Sequence, residues 1–423
     1  MVEVVPFPGV FYDTKACGPL EDIVSLPYDV ISPKKQEEYY QASEYNVIRL
    51  ILGKTEPKDN GENRYTRARA HFTSWLEKGI LRQDDNKGFY VYQEEYDLEG
   101  VTKKQTGFIG LVKLEPFEDG NILPHERIFN TVIDDRYKLL DATQANLEAI
   151  MSMYSDPGQE IGSILGQAME SEPLACITHE DGIIHRIWAI HDPANLEQIV
   201  KLMEKKKLYI ADGHHRYTTS LRYSQDNDKH AAKHIMMLLL NMDDDLTILP
   251  PHRLLRNLDC FEPDTVIGEV RKYFNVKEYS NGKQSSRKKL VQALGERQDK
   301  HVFGMVLKDK CFLIYLKKSD IIEDLMDCSR SSQWNELDVT ILQDVLIGYL
   351  LGVKHQDKQN ISYEKDLSKV FASIDSGENQ VAFLLNPPKV PQVKSIADIG
   401  DAMPQKSTYF YPKIISGLIM YKF

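Results

Sequence analysis

A chain of 423 residues is longer than one ordinary core needs and calls for two or three domains. Its 42% hydrophobic and 27% charged residues, with only 24 Gly and 19 Pro, exclude a disordered or collagen-like chain. The 63 acidic residues outnumber the 52 basic ones, and the resulting charge of -11 opposes sequence-independent attraction to nucleic acid.

Cys17, Cys176, Cys260, Cys311 and Cys328 are widely spaced, form no CxxC pair, and read as reduced thiols. The opening MVEVVPFPGVFYD has neither a basic leader nor a long apolar stretch, and no later run reaches membrane-spanning length. The expectation is a cytoplasmic protein with no membrane partner. Oligomeric state is not legible in the sequence.

Ser32-Pro33 is a helix start, an N-cap followed by proline at the first helical position, and predicts a helix over Pro33 to Ala42. Asn46 to Leu52 (NVIRLIL) is rich in branched apolar residues and predicts a buried strand. Tyr65, Ala68, Phe72, Trp75 and Leu76 recur at helical spacing up to a terminating Gly79. Phe89 to Leu98 and Val101 to Leu114 flank Glu99-Gly100 as a β-hairpin.

The segment from Asp134 to Tyr154 predicts one or two helices, and Pro193 to Lys205 another. Lys207 to Ala211 then predicts a strand, followed by a sharp turn and a helix through Tyr223. Ile235 to Asn241 suits a buried strand, with a rigid turn at Leu249 to Arg253 and a boundary near Asp259. Beyond it lie helices near Ser285 to Leu294 and Leu337 to Leu351, and strands near Val302 to Leu307, Cys311 to Leu316 and Gln380 to Leu385.

The fold class is therefore mixed α/β of the α+β kind, in three regions: 1–120 with the hairpin, 121–258 with the main motifs, and 259–423 with a tail returning to the site.

The most informative segment is ADGHHRY, Ala211 to Tyr217. A helix that begins after a glycine turn offers backbone N–H groups and the positive end of its dipole to an anion. Gly213 permits close approach, His214, His215 and Arg216 add donors, and Asp212 is placed to hold a magnesium ion. The plain alternative makes Asp212 a helix cap and the histidines local hydrogen-bonding groups.

His125-Glu126-Arg127 places an acid between two groups able to bind phosphate or metal, with Arg136 expected to join it; its alternative is a solvated turn. In the tail Met403 to Lys413, Lys406, Ser407 and Thr408 are phosphate donors or simply part of a structural strand. His125, His214, His215 and His252 with Glu126 and Asp212 also make a transition-metal set, though no zinc spacing links them.

At ADGHHRY the chain resembles a widespread, largely uncharacterised prokaryotic family. The likeness extends over LPYDVIS (Leu26 to Ser32), YNVIRLILG (Tyr45 to Gly53), LPHER (Leu123 to Arg127), Asp135-Arg136, Gln144 to Asn146, LPPHRLL (Leu249 to Leu255) and MPQKSTYFYPK (Met403 to Lys413). More distantly, and mainly at this turn, it resembles the ParB/sulfiredoxin/free-serine-kinase superfamily, which implies a nucleotide-binding core of that kind with additional α/β regions. A histidine stands where sulfiredoxin has its catalytic cysteine, which argues against sulfinic-acid repair.

The resemblance implies a nucleotide-dependent phosphotransferase acting on a small hydroxylated metabolite, free serine first. Gly213, His214, His215 and Arg216 would hold phosphates of ATP or ADP, and Asp212 would hold Mg2+. Glu126 or Asp29, with His125 beside them, would supply the base. Arg127, Arg136 and Lys406 would hold substrate charge, and with Ser407, Thr408, His252 and Arg253 they would complete the phosphate- and nucleotide-binding set. A phosphoserine phosphatase and a non-catalytic nucleotide sensor are the alternatives.

Overall fold

The computed structural model describes the chain except residues 58, 60, 127–129, 228, 260, 281, 299, 328 and 355–358, and the side chains of 130–132. The chain divides into two compact units. One comprises Met1–Pro124, Ile128–Leu246 and Pro412–Phe423; the other comprises His125–Arg127 and Thr247–Tyr411.

The first unit is built on a nine-stranded mixed sheet. Its centre is the strand His234–Asn241, every residue of which is buried. That strand runs antiparallel to Val101–Lys113 and parallel to Ile150–Tyr154. Such an unbroken apolar run is what a strand covered on both faces requires. Phe108, Ile150, Ile199, Ile210, Tyr217 and Met237 are part of one core cluster, which ties the sheet to the helices Pro193–Met203 and His214–Asp226.

Phe89–Leu98 and Val101–Lys113 form the expected hairpin, with Leu98 opposite Val101. Glu99 (φ 53°) and Gly100 (φ 83°) both take the left-handed conformation that a tight two-residue hairpin demands. The helix Pro33–Ala42 begins as its sequence predicts, with the Ser32 hydroxyl accepting from the Lys35 N–H. Arg64–Glu77 carries the Tyr65 to Leu76 pattern and starts in a capping box between Asn63 and Thr66.

Two expectations fail here. Asn46 to Leu52 is not a strand: Ile48–Ile51 is a short buried helix. Asn46 drives it, because its side-chain oxygen accepts from the Ile48 N–H at 2.9 Å while its amide donates to the carbonyls of Asp22 and Val24. A segment as short as NVIRLIL is too brief for a helical period to be told from a strand's. Asp134 to Tyr154 is helical only in its first half: the helix Asn130–Thr143 ends before Gln144 (φ 50°), and Ile150–Tyr154 is a fully buried strand.

The second unit carries a six-stranded antiparallel sheet containing Val302–Val306, Cys311–Leu316, Val381–Leu385 and His252–Leu255. One face packs on the helices Lys283–Gly295 and Leu367–Ser376 through Leu254, Leu290, Val302, Leu313, Val370 and Ala382. Ile341–Leu350 is a widened, π-type helix rather than the ordinary helix expected over Leu337 to Leu351.

The boundary expected near Asp259 falls instead between Leu246 and Thr247, because His252–Leu255 pairs with Ile361–Glu364 and Val381–Leu385 in this sheet. Regions 1–120 and 121–258 likewise share one sheet rather than standing as separate bodies. Cys17 and Cys311 are buried free thiols and Cys176 an exposed one; Cys260 and Cys328 lie outside the described residues.

Candidate functional site

In the first unit, the strand Leu208–Asp212 ends at a register irregularity between Ile210 and Asp212, and Gly213 turns the chain into the helix His214–Asp226. Gly213 stands at the N-cap with φ 92° and ψ 26°, a conformation that side-chain-bearing residues avoid. Gly213 supplies no side-chain cap to the first helical N–H groups.

Asp212 is the electrostatic hub. Its Oδ1 lies 2.7 Å from Lys413 Nζ, and its Oδ2 is 3.4 Å from an Arg216 terminal nitrogen. Burial opposes ionisation of this carboxyl, but Lys413 first, then Arg216 and His214, hold it far below the ordinary carboxylate range. Arg216 folds back over the turn: a Cβ on Gly213 would come within 3.0 Å of its guanidinium. Its other terminal nitrogen donates to the Ala149 carbonyl at 2.6 Å. Burial works against its charge, while Glu148, Asp212, Tyr28 and Asp29 sustain it, and the balance strengthens its protonation.

Glu148 extends the network, its Oε1 accepting from the Tyr28 N–H at 3.2 Å and the Ser416 hydroxyl at 2.9 Å. Burial pushes the Tyr28 phenol up to about 12. Arg136 lies 4.1 Å over the Tyr28 ring, donates to the Ile51 carbonyl, and pairs with Asp135. Arg136, Glu148 and Arg216 together line a cavity of about 50 Å³.

Among the residues singled out in the sequence, the first unit thus brings Asp212 to Arg216 together with Arg136 and the field of Asp29. Arg136, expected to join His125-Glu126, lines this cavity. Glu148, Tyr28, Lys413 and Ser416 were missed. Tyr28 and Lys413 sit inside recognised blocks, LPYDVIS and MPQKSTYFYPK, which was the only available signal.

A different set meets within the second unit. His125 Nε2 lies 2.9 Å from the Thr408 hydroxyl, and the Lys406 N–H donates to Glu126 Oε1 at 3.3 Å. Ser407 is fully buried, its hydroxyl bonded to the Pro404 carbonyl. Lys406 takes a left-handed φ of 59°. His252 accepts from the Leu385 N–H through Nδ1, and burial lowers its ring to about 4. Arg253 is fully buried beneath the Tyr363 ring and donates to the Pro251 carbonyl, and burial lowers it to about 10. Arg127 lies outside the described residues.

The magnesium expectation does not fit this donor set. Both Asp212 oxygens already face cations, and among the described residues no three His, Cys, Asp or Glu side chains are grouped to hold a metal. Asp212 serves as the counter-ion of Lys413 and Arg216. The histidines of the transition-metal alternative divide between the two units, His214 and His215 in one and His125 and His252 in the other.

The chain belongs to the family described as "Protein of unknown function (DUF1015)", whose model matches residues 4–340. No curated protein matches the sequence. Among solved structures it is similar to a free serine kinase in complex with AMP, at 14% identity over 71% of this chain and 89% of that one, with a TM-score of 0.34. A conserved hypothetical protein from Pyrococcus furiosus gives 14% identity, 73% and 94% coverage and a TM-score of 0.35. SbnI from Staphylococcus aureus, truncated at its C-terminus, gives 11%, 72% and 85%, and 0.36. At such distances the function must be argued from the residues themselves. Among the described residues, no helix is long and apolar enough to cross a membrane.

Proposed function

We propose that this chain is a nucleotide-dependent phosphotransferase acting on a small hydroxylated metabolite, with free serine the first acceptor to test. The observation that carries the reading is the glycine-capped start of the helix His214–Asp226, flanked by Lys413 and Arg216. A phosphate arriving there meets backbone donors, the helix dipole and two cations whose positions Asp212 holds. His214 and His215, the first two residues of the helix, add polar groups beside the same phosphates.

In the reaction, the acceptor hydroxyl attacks the terminal phosphorus of ATP or ADP. The bond to the bridging oxygen breaks, the shortened nucleotide leaves with that oxygen, and the hydroxyl proton passes to a base. Asp29 is assigned that role, as an exposed carboxylate in the first unit whose charge reaches Arg216. Phosphoryl transfer asks chiefly for alignment and charge neutralisation, which this set supplies. Magnesium enters the assay as part of the nucleotide substrate and is assigned no ligand in this chain.

The test is product formation by the full chain with ATP, ADP or CTP, magnesium and serine, read as phosphoserine and shortened nucleotide. Lys413→Met is expected to weaken nucleotide binding about tenfold or more, and Asp29→Asn to reduce turnover with little change in affinity. Phosphate release from phosphoserine without nucleotide identifies a hydrolase instead. Tight nucleotide binding without turnover identifies a sensor, and absence of both removes the reading altogether.

A further inference from the structure

The second unit holds a cavity of about 130 Å³ that none of the sequence motifs touches. Lys300, His301, Glu336, Asp338, Lys389 and Gln392 line it. The cavity is several times the roughly 30 Å³ share of a single water in liquid, so it has room for a small organic molecule.

Its charges are arranged in two signs. His301 Nδ1 lies 2.8 Å from Asp338 Oδ1, and Glu336 and Lys389 act electrostatically on the same pair. Asp338 strengthens protonation of the His301 ring. Neither Lys300 nor Lys389 forms an ion pair among the described residues, although both line the cavity. Leu337, Val339, Pro387 and Pro388 supply apolar wall between the charges. Lys389 also stands at the start of the helix Val390–Asp398, so its cationic side coincides with a positive dipole end.

A phosphate dianion would be opposed by Glu336 and Asp338, and a simple amine by the two lysines. A ligand carrying both charges on neighbouring atoms answers both sets at once. We propose that this cavity binds a small free α-amino acid, its carboxylate toward Lys389 and Lys300, its ammonium toward Glu336 and Asp338, and its side chain against the prolines. The site lies in a different unit from the Gly213 turn and does not depend on the phosphotransferase reading. A binding site of this kind suits sensing of an amino-acid pool.

The experiment is titration calorimetry of the full chain with individual amino acids, and with acetate, methylamine and inorganic phosphate as single-charge probes. At least one amino acid is expected to bind about tenfold or more tighter than each single-charge probe. Lys389→Ala and Asp338→Asn are each expected to weaken that binding about tenfold. Lys389 is exposed, so its variant tests the site without burdening the fold. Arg216→Met, which disrupts the first unit's turn, is expected to leave this binding intact. Binding that survives both cavity variants, phosphate binding as tight as any amino acid, or no amino-acid binding at all would overturn the proposal.

Discussion

Two polar clusters in the first unit resolve the burial of charge in opposite ways. At the Gly213 turn, Asp212 keeps its charge because Lys413 and Arg216 stand against it. Farther along the same sheet, Glu94, His185 and Tyr92 share a fully buried cluster in which the Tyr92 hydroxyl lies 2.7 Å from His185 Nδ1 and Gln105 donates to Glu94 at 3.0 Å. Among the described residues, no cation with a fixed charge stands against Glu94 there. Burial raises its carboxyl to about 8 and lowers the His185 ring to about 3. A buried carboxylate keeps its charge where cations face it and sheds it where burial is uncompensated.

The largest expected effect comes from breaking the compensated cluster. Asp212→Asn removes the one carboxylate that faces both Lys413 and Arg216 and should cost about 3 kcal/mol in denaturant unfolding. Pairing it with Lys413→Met should recover much of that loss. If Asp212→Asn is neutral, the carboxylate is not the hub described.

The uncompensated cluster predicts a pH profile. Between about pH 4.5 and 8 the unfolded chain has released the Glu94 proton that the folded protein retains, so stability falls as pH rises. Between about 6.5 and 3 the unfolded chain takes up a proton that folded His185 refuses, so stability falls as pH drops. The cluster is thus most favourable between about pH 4.5 and 6.5. Glu94→Gln should flatten the alkaline arm, and an unchanged arm in unfolding measured across pH would contradict the assignment.

The smallest effect is Gly213→Ala, which sets a Cβ at a φ of 92° and within 3.0 Å of the Arg216 guanidinium. A stability loss of about 1–2 kcal/mol is expected, with a larger proportional loss of nucleotide affinity. Equal losses in both would make the turn a structural feature alone.

Much of this architecture was legible because its signals are local. Glu99-Gly100 announces a hairpin, Ser32-Pro33 a helix start, and the run to Asn241 a strand covered on both faces. Gly213 likewise betrays its turn, since no neighbour is needed to make a left-handed conformation favour glycine. Asn46 to Leu52 misled because its conformation rests on hydrogen bonds from Asn46 to Asp22 and Val24, more than twenty residues back. Glu148 carried no signal of its own, and its meeting with Ser416 spans 268 residues.

By itself, the sequence determined where the glycine-capped helix start lies and which residues open that helix, because turn, cap and periodicity are properties of neighbouring residues. Only the tertiary structure decided what those residues do. It engaged Arg216 with the Ala149 carbonyl and Asp212, brought Lys413 from the far end of the chain to the same carboxylate, and drew Arg136 onto Tyr28. The reason is physical: a buried charge takes its role from whichever partner folding sets beside it, and that partner is distant in sequence.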